Sequence, residues 1–506
     1  MTFQTQKLSL APILILILVL LTSPAATAVV DEERFSAEVE RGMADWQVPG
    51  LAVAVVEEGR AAYVRGFGQA SIGSGSSVTA DTFFINASTT KAMVAAGVLM
   101  LVDDGRLELD DLLIDHVPEI HFADPALTPQ LTLRDLLTHR TGLPSTDFWT
   151  FNQGMPLAEQ LPRLRHVEPV AAPRERKIYQ NTMYELAGLV IERVSGEPWE
   201  AFLQRRLWRP IGMQTVGTRD ALAEDAPRAQ PYDVFDGELR EVNHSLREHV
   251  SDAAGSAWSR VSDMVLWIEF LLRGGVTQSG ERLLSERALE EMFTPQQLVS
   301  RRDYYPTAEL TDPHWISYGL GWYQQDFQGR KIDYHTGSLN GATAIVGLDR
   351  EAGRGMVMLA NRGGAELRHA LLWSVMDQGN ESERRDWAAD VTALYTSRAQ
   401  ERERKRAETM AGRLDVPPSL DLEAYAGQYD SPRGGPLELL RDGDGLRLNT
   451  SVRTYRLTPW HADIFLLMHE DWANPGFARF SLTPAGRIDG VEAFGLEFER
   501  IADPEP

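Results

Sequence analysis

Cysteine is absent from the sequence of 506 residues, and only 11 histidines are present. Without cysteine the chain forms no disulfide bond and carries no lipid on a thiol, so its stability depends on core packing. The histidines form neither a His-Glu-x-x-His motif nor a close His-Cys cluster. These patterns predict neither a metal site nor a bound cofactor.

Positive charge is scarce as well, since 50 Lys and Arg residues face 73 Asp and Glu residues and the formal net charge is -23. Such acidity disfavours binding to nucleic acid and to anionic membrane surfaces. We therefore expect a small molecule or a peptide as the substrate. The composition leaves self-association into an oligomer open.

The apolar run near the N-terminus, Ile13 to Leu21, is too short to span a bilayer, which takes about 20 apolar residues. Lys7 precedes this run and Ala26-Thr27-Ala28 follows it. That order is typical of a secretory signal peptide. We expect residues 1–28 to be cleaved, which would place the protein in the periplasm or outside the cell with no stable membrane span. An uncleaved anchor is the alternative.

The chain is too long for one hydrophobic core, so we expect two domains. The larger covers residues 32–385, and a strongly charged linker with helix-forming composition covers 386–418. In residues 419–506, short apolar segments alternate with Gly, Asp and Pro turns, and the last such segment runs from Gly490 to Phe498. This spacing predicts a small antiparallel barrel or sandwich.

The stretch around Ser88 organises the rest of the chain. Ser88 and Lys91 open a predicted helix whose continuation, Ala92 to Val102, is apolar on every face. Residues three apart share a helix face, so the Lys91 amine would lie one turn from the Ser88 hydroxyl. Burial disfavours a charged amine, which would let Lys91 accept the serine proton. Alone, Ser-x-x-Lys is a weak signal, because it arises by chance about once or twice in a chain of this length.

Two further patterns carry polar groups at the ends of predicted elements. Tyr179 and Asn181 precede a helix, and His335-Thr336-Gly337-Ser338 ends a strand in a predicted antiparallel meander. We interpret the segment from Tyr318 to Tyr323 as one strand of that meander. His139 is interpreted as a structural residue at a helix C-terminus, because Gly142 follows closely.

Taken in order, Ser-x-x-Lys, Tyr-x-Asn and His-Thr-Gly resemble the penicillin-recognising serine hydrolases, which include class C β-lactamases, DD-peptidases, D-amino-acid peptidases and esterases. The resemblance extends over residues 32 to 380. It implies an α/β fold of the α+β type, in which helices flank an antiparallel β-lactamase/transpeptidase-like sheet beside a helical subdomain. Tyr425 to Tyr429 resembles the start of the lipocalin-like barrel that follows the catalytic domain in some relatives.

The resemblance also implies a role for each matching residue. Ser88 would be the acylated nucleophile, Lys91 its base and Tyr179 the proton relay to the leaving group. The remaining residues would bind the substrate: Asn181, His335, Thr336 and Gly337 through the cleft wall, and the backbone N–H groups of Ser88 and Ser338 as the oxyanion hole.

One departure from the β-lactamase pattern bears on the substrate. Class C β-lactamases carry Lys-Thr-Gly where this chain has His335-Thr336-Gly337. A histidine that is mostly neutral at pH 7 is less suited to a β-lactam carboxylate than a charged lysine. The His-Thr-Gly form is instead similar to the DD-peptidases, D-aminopeptidases and esterases of the group. This resemblance implies an exported serine hydrolase that cleaves amides or esters, with peptides bearing D-residues favoured. A β-lactamase and a non-catalytic protein that binds cell-wall fragments or β-lactams are the alternatives.

Overall fold

A computed structural model describes residues 31–235, 237–244, 252–379, 385–469 and 476–501. Its α-helices are Glu32–Asp45 (α1), Thr90–Asp103 (α2), Leu113–His116 (α3), Leu133–Leu137 (α4), Asp147–Phe151 (α5), Leu157–Gln160 (α6), Asn181–Ser195 (α7), Trp199–Leu203 (α8), Arg209–Ile211 (α9), Val261–Leu272 (α10), Glu286–Phe293 (α11), Ala308–Thr311 (α12), Leu367–Met376 (α13) and Trp387–Ala411 (α14). The strands of the larger domain are Gly50–Glu57 (β1), Arg60–Ser71 (β2), Ser76–Ser77 (β3), Phe83–Ile85 (β4), Tyr232–Phe235 (β5), Glu238–Glu241 (β6), Trp258–Arg260 (β7), Gln297–Leu298 (β8), Ile316–Tyr318 (β9), Tyr323–Phe327 (β10), Arg330–Leu339 (β11), Ala342–Asp349 (β12) and Arg354–Ala360 (β13).

Nine of these strands form one antiparallel sheet, in the spatial order β3-β2-β1-β13-β12-β11-β10-β9-β8. β1 is apolar almost throughout because both of its faces are buried. Val53 faces a core that includes residues of α1 and α13, whereas Ala54 faces a core that includes residues of α2 and α10. The sheet is therefore covered by helices on both faces.

Helix α2 packs against helices α7, α8 and α11, and its side chains share one buried cluster with residues of β1. Every residue from Thr90 to Leu101 is buried. A small residue allows close approach here, since a Cβ on Gly97 would lie 2.7 Å from a methyl of Leu203 in α8. The start of α2 is consequently held by packing on all sides.

The C-terminal strands close into an eight-stranded antiparallel barrel in chain order. They are Gly427–Ser431 (β14), Gly435–Asp442 (β15), Gly445–Asn449 (β16), Thr454–His461 (β17), Ile464–Met468 (β18), Gly476–Leu482 (β19), Ile488–Ala493 (β20) and Leu496–Arg500 (β21). The predicted fold class is confirmed, with helices on an antiparallel sheet followed by a small barrel. In the predicted linker, α14 buries Trp387, Ala388 and Val391, and every later side chain of this helix is exposed or half-buried.

Three local predictions are wrong. The segment from Tyr318 to Tyr323 is two strands, β9 and β10, because Gly321 turns the chain with a φ of 82°. The segment from Gly490 to Phe498 is likewise divided into β20 and β21, at a turn where Gly495 has a φ of 72°. The helix that precedes His139, α4, ends at Leu137, so it stops well before Gly142, the residue predicted to end it. Glycines inside apolar runs were the signal for both turns.

The predicted signal peptide, residues 1–28, lies outside the described residues. Among the described residues, no helix combines the length and apolarity needed to cross a membrane. In the same part of the chain, no group of three or more His, Asp or Glu side chains is arranged to hold a metal ion.

Candidate active site

Ser88 lies in a single 3₁₀ turn, Ala87–Thr89, between strand β4 and helix α2. The α-helix itself begins at Thr90, two residues later than the sequence suggested. Ala87 has a φ of 46°, a left-handed conformation that non-glycine residues rarely adopt. Asn86 braces this turn, because its carbonyl accepts from Thr89 N at 3.2 Å and its amide donates to Ser259 Oγ at 2.7 Å. Ser88 is partly exposed while its neighbours are buried, so it is the one accessible residue of this turn.

The Lys91 amine lies beside this hydroxyl, as the spacing predicted. Lys91 is fully buried, and its Nζ is 3.1 Å from Ser88 Oγ. The same nitrogen donates to Asn181 Oδ1 at 2.8 Å and to the carbonyl of Ala254 at 2.6 Å. These two fixed acceptors orient the amine toward Ser88.

Asn181 is the first residue of α7 and links the amine to a second loop. Its Oδ1 accepts from Lys91, and its Nδ2 donates to Asp147 Oδ1 at 2.8 Å. Asp147 is the first residue of α5. Both polar atoms of the Asn181 amide are thus engaged, which sets its orientation. No sequence motif marked Asp147.

Tyr179 lies over the same cluster. The Lys91 amine is 5.0 Å from the centre of its ring, and the Lys177 amine is also 5.0 Å away. Burial raises the pKa of Tyr179 well above its usual value, and this effect outweighs the lowering by a hydrogen bond with the Ser88 side chain. Tyr179 is therefore a neutral phenol at physiological pH, able to donate one proton and accept another.

His335 is buried within β11 and lies beside the Tyr179 ring, with ring centres 6.3 Å apart. Its Nδ1 is 2.6 Å from the carbonyl oxygen of Thr336, which only accepts, so Nδ1 carries the proton. Nε2 then accepts from the Tyr318 hydroxyl at 3.0 Å. Burial holds the pKa of His335 well below its usual value. The ring is neutral at pH 7.

The rest of the His-Thr-Gly segment packs on the serine turn. Thr336 Oγ1 is 2.5 Å from the Tyr305 hydroxyl. A Cβ on Gly337 would lie 2.4 Å from the Asn86 carbonyl oxygen, so only glycine allows β11 to approach this closely. Arg368 secures the segment by donating to the Gly337 carbonyl at 2.8 Å and to Ser338 Oγ at 2.7 Å.

The segment His335-Thr336-Gly337-Ser338 lies within β11, which continues to Leu339, rather than at the end of a strand. The pairing with β10 stops at Tyr334, so beyond it one edge of β11 has no strand beside it in the described sheet. Backbone N–H groups along such an edge are available to an oxyanion. The structure thus brings all eight predicted site residues together around the serine turn.

Two buried basic side chains complete the cluster and were not predicted as site residues. Lys177 donates to the Tyr323 hydroxyl at 2.5 Å, and burial lowers its pKa to about 7. His139 has a φ of 55° and lies 4.3 Å from Tyr179, measured between ring centres. The usable signal was the scarcity of lysine, since Lys177 is one of five and lies two residues before Tyr179.

Comparison with known proteins bears on both domains. A family model described as Beta-lactamase matches residues 35–380, and a model described as a domain of unknown function (DUF3471) matches residues 413–505. The chain is 29% identical over 503 residues to the unguisins hydrolase ungD of Aspergillus violaceofuscus, a match that covers 89% of this chain and 86% of that protein.

Solved structures share the fold. The octameric penicillin-binding protein homologue from Pyrococcus abyssi matches with a TM-score of 0.62 and 22% identity, over 93% of this chain and 100% of that chain. A D-stereospecific amidohydrolase from Streptomyces sp. matches with a TM-score of 0.55 and 24% identity, over 70% of this chain and 100% of that chain.

Proposed function

Because the chain belongs to the Beta-lactamase family of serine hydrolases, we propose that it is exported and cleaves an amide or ester bond through an acyl-enzyme on Ser88. The observation that carries this proposal is the contact of 3.1 Å between Lys91 Nζ and Ser88 Oγ. A neutral Lys91 has two N–H groups and one lone pair. In the proposed reactive state the two N–H groups donate to Asn181 and Ala254, and the lone pair accepts the Ser88 proton.

The proposed reaction has two halves. Ser88 Oγ attacks the substrate carbonyl carbon while Lys91 takes the hydroxyl proton, and the backbone N–H groups of Ser88 and Ser338 stabilise the oxyanion. The bond to the leaving group then breaks, and Tyr179 relays the proton from Lys91 to that group. In the second half, water attacks the acyl-enzyme, and its proton follows the same path back to Ser88 as the carboxylic acid leaves.

Peptides bearing D-residues and small esters are the proposed substrates. The Streptomyces neighbour is described as a D-stereospecific amidohydrolase and the Aspergillus relative as an unguisins hydrolase, which supports cleavage of amide bonds. The neutral, buried His335 disfavours recognition of a β-lactam carboxylate by charge. We rank β-lactam hydrolysis below amide and ester hydrolysis for that reason.

Location and assembly are also proposals. The order of charge, apolar run and small residues in positions 1–28 supports export, and N-terminal sequencing of the mature protein would test it. The Pyrococcus homologue is described as octameric, which supports self-association of this chain. Light scattering on the purified protein would measure its mass.

Matched substrates and matched variants test the proposed reaction. Wild-type protein should hydrolyse p-nitrophenyl acetate and should cleave N-acetyl-D-alanine p-nitroanilide faster than its L-isomer. Ser88→Ala and Lys91→Ala should each remove nearly all turnover. Ser397→Ala and Lys405→Ala, on the exposed part of α14, make the same chemical changes and should leave turnover at the wild-type level. Undiminished turnover by purified Ser88→Ala would refute the proposal.

A further inference from the structure

A cavity of about 600 Å³ lies where the catalytic domain meets the barrel. One wall is the end of β11 and its turn, Ser338 to Asn340, and another is the end of α5. Asp233 of β5, the segment from Arg362 to Gly364 just after β13, and the barrel residues Arg453 and Tyr455 form the remaining sides. The cavity therefore begins at Ser338, the residue assigned to the oxyanion hole, and the second domain forms one of its sides.

Hydrogen bonds between α5 and the barrel fix this wall. Arg453 Nε donates to the Phe151 carbonyl at 2.8 Å, and Thr450 Oγ1 donates to the Asn152 carbonyl at 2.5 Å. The buried Gln153 amide donates to the carbonyls of Gly434 at 3.1 Å and Pro436 at 2.9 Å. The barrel is thus docked on the segment whose first residue, Asp147, holds Asn181.

Two guanidinium groups, those of Arg362 and Arg453, line this cavity together with one carboxylate, that of Asp233. Among the described residues, no carboxylate lies within 4.0 Å of the Arg362 or Arg453 side-chain nitrogens. Arg362 Nε is buried and makes no hydrogen bond within the described ranges of the chain. Burial lowers the pKa of Arg362 despite the nearby charges of Asp233 and Glu366. A partly buried cation without an ion pair is costly, and a carboxylate is the group that guanidinium geometry fits best.

The position of the cavity assigns it to one side of the scissile bond. Tyr179, the proposed proton relay to the leaving group, lies beside His335. The leaving group therefore lies toward His335, and the acyl portion extends the other way, along Ser338 to Asn340. Two residues of extended chain span about 7 Å, so the cavity lies within one or two residues of the reacting carbonyl.

We propose that this cavity is an acyl-side subsite for a substrate carboxylate, bound by Arg362 of the catalytic domain and Arg453 of the barrel. This inference rests on the proposed function, because it places the subsite relative to an acyl-enzyme at Ser88. The C-terminal barrel then determines specificity in addition to packing against the catalytic domain.

A pair of substrates that differ in one carboxylate tests the subsite. N-succinyl-D-alanine p-nitroanilide places a carboxylate roughly two residues from the scissile carbonyl, and N-acetyl-D-alanine p-nitroanilide lacks it. We expect kcat/KM to favour the succinyl compound by about 10-fold or more, as one charge-assisted contact provides. Arg362→Gln and Arg453→Gln should each bring the ratio toward 1. Arg447→Gln, on the exposed face of the barrel, should retain the wild-type ratio.

A binding measurement separates failure of the subsite from failure of the proposed reaction. Calorimetry on Ser88→Ala protein would compare N-succinyl-D-alaninamide with N-acetyl-D-alaninamide. Tighter binding of the succinyl amide that is lost in the Ser88→Ala/Arg362→Gln double variant supports the subsite, even where wild-type turnover is absent. Equal binding of the two amides, or a succinyl preference unchanged by both arginine substitutions, overturns it. Turnover of p-nitrophenyl acetate together with equal binding of the two amides would be consistent with the proposed hydrolase and would reject only the subsite.

Discussion

Gly337→Ala is the substitution that most sharply tests the contact between β11 and the serine turn. The added Cβ would lie 2.4 Å from the Asn86 carbonyl oxygen, 3.0 Å from the Ala87 Cβ and 3.1 Å from the Ala344 Cβ. All three neighbours are backbone or Cβ atoms, which cannot rotate away. The strand must therefore retreat by up to about 1 Å to restore ordinary van der Waals distances.

The expected effects of this retreat differ for stability and for activity. Overpacking of this kind costs about 1–3 kcal/mol of unfolding free energy, which leaves a typical domain folded at 25 °C. The same displacement moves Ser338 away from Ser88, and a misplacement of about 1 Å can lower the rate about 100-fold. Activity should thus fall much further than the folded fraction does.

The assay is kcat/KM for p-nitrophenyl acetate together with thermal unfolding followed by circular dichroism. Gly73→Ala is the matched control, because a Cβ at Gly73 would have no neighbour within 4 Å and the residue lies in an exposed turn. Gly73→Ala should behave as wild type in both measurements. Wild-type kcat/KM in Gly337→Ala would refute the claim that this approach builds the oxyanion site.

Three further predictions follow from the site. Asp147→Ala should lower kcat/KM about 10-fold by freeing the Asn181 amide to rotate, and Glu159→Ala should not. Because burial holds the pKa of His335 well below 6.5, this histidine should stay neutral and should cause no fall in kcat/KM near pH 6.5. A fall in kcat/KM near pH 6.5 that disappears in His335→Gln would contradict this neutral role. Burial lowers the pKa values of His139, His335 and His369, so below pH 6.5 the unfolded state binds more protons than the folded state. The free energy of unfolding, measured by chemical denaturation, should therefore decrease below pH 6.5 by up to about 1.4 kcal/mol per pH unit for each histidine.

The sequence predicted the parts of the site that depend on local spacing. Ser88 and Lys91 are three residues apart on one turn, and the apolar run after them marks a helix buried on every face. Backbone periodicity alone brings the two side chains together. Tyr179 and Asn181 are likewise placed by the start of one helix.

The residues that the sequence did not predict are joined to the site over long distances in the chain. Asp147 meets Asn181 across 34 positions, and Ala254 meets Lys91 across 163. Neither contact leaves a periodic pattern, because each depends on how loops lie after the helices have packed. The position of the barrel was not predictable for the same reason, because the Gln153 amide donates to carbonyls 281 and 283 positions away in the chain.

Turns inside apolar runs account for the errors in strand assignment. Gly321 and Gly495 each have a positive φ that divides one apolar segment into two strands. At Gly321 the requirement is also steric, because a Cβ there would lie 2.9 Å from the Ala92 Cα in α2. A glycine that permits close approach to a helix is difficult to distinguish from a glycine in a strand without the tertiary fold.

Intact-protein mass spectrometry tests the central claim most directly. Wild type and Ser88→Ala would be exposed briefly to a penicillin, an activated short-chain ester and a D-alanyl peptide thioester. We predict a mass increase equal to the acyl group on the wild type alone, with the ester or the D-alanyl thioester giving the adduct. An adduct of the same mass on Ser88→Ala, or no adduct and no turnover with any of the three compounds, would contradict an acyl-enzyme at Ser88.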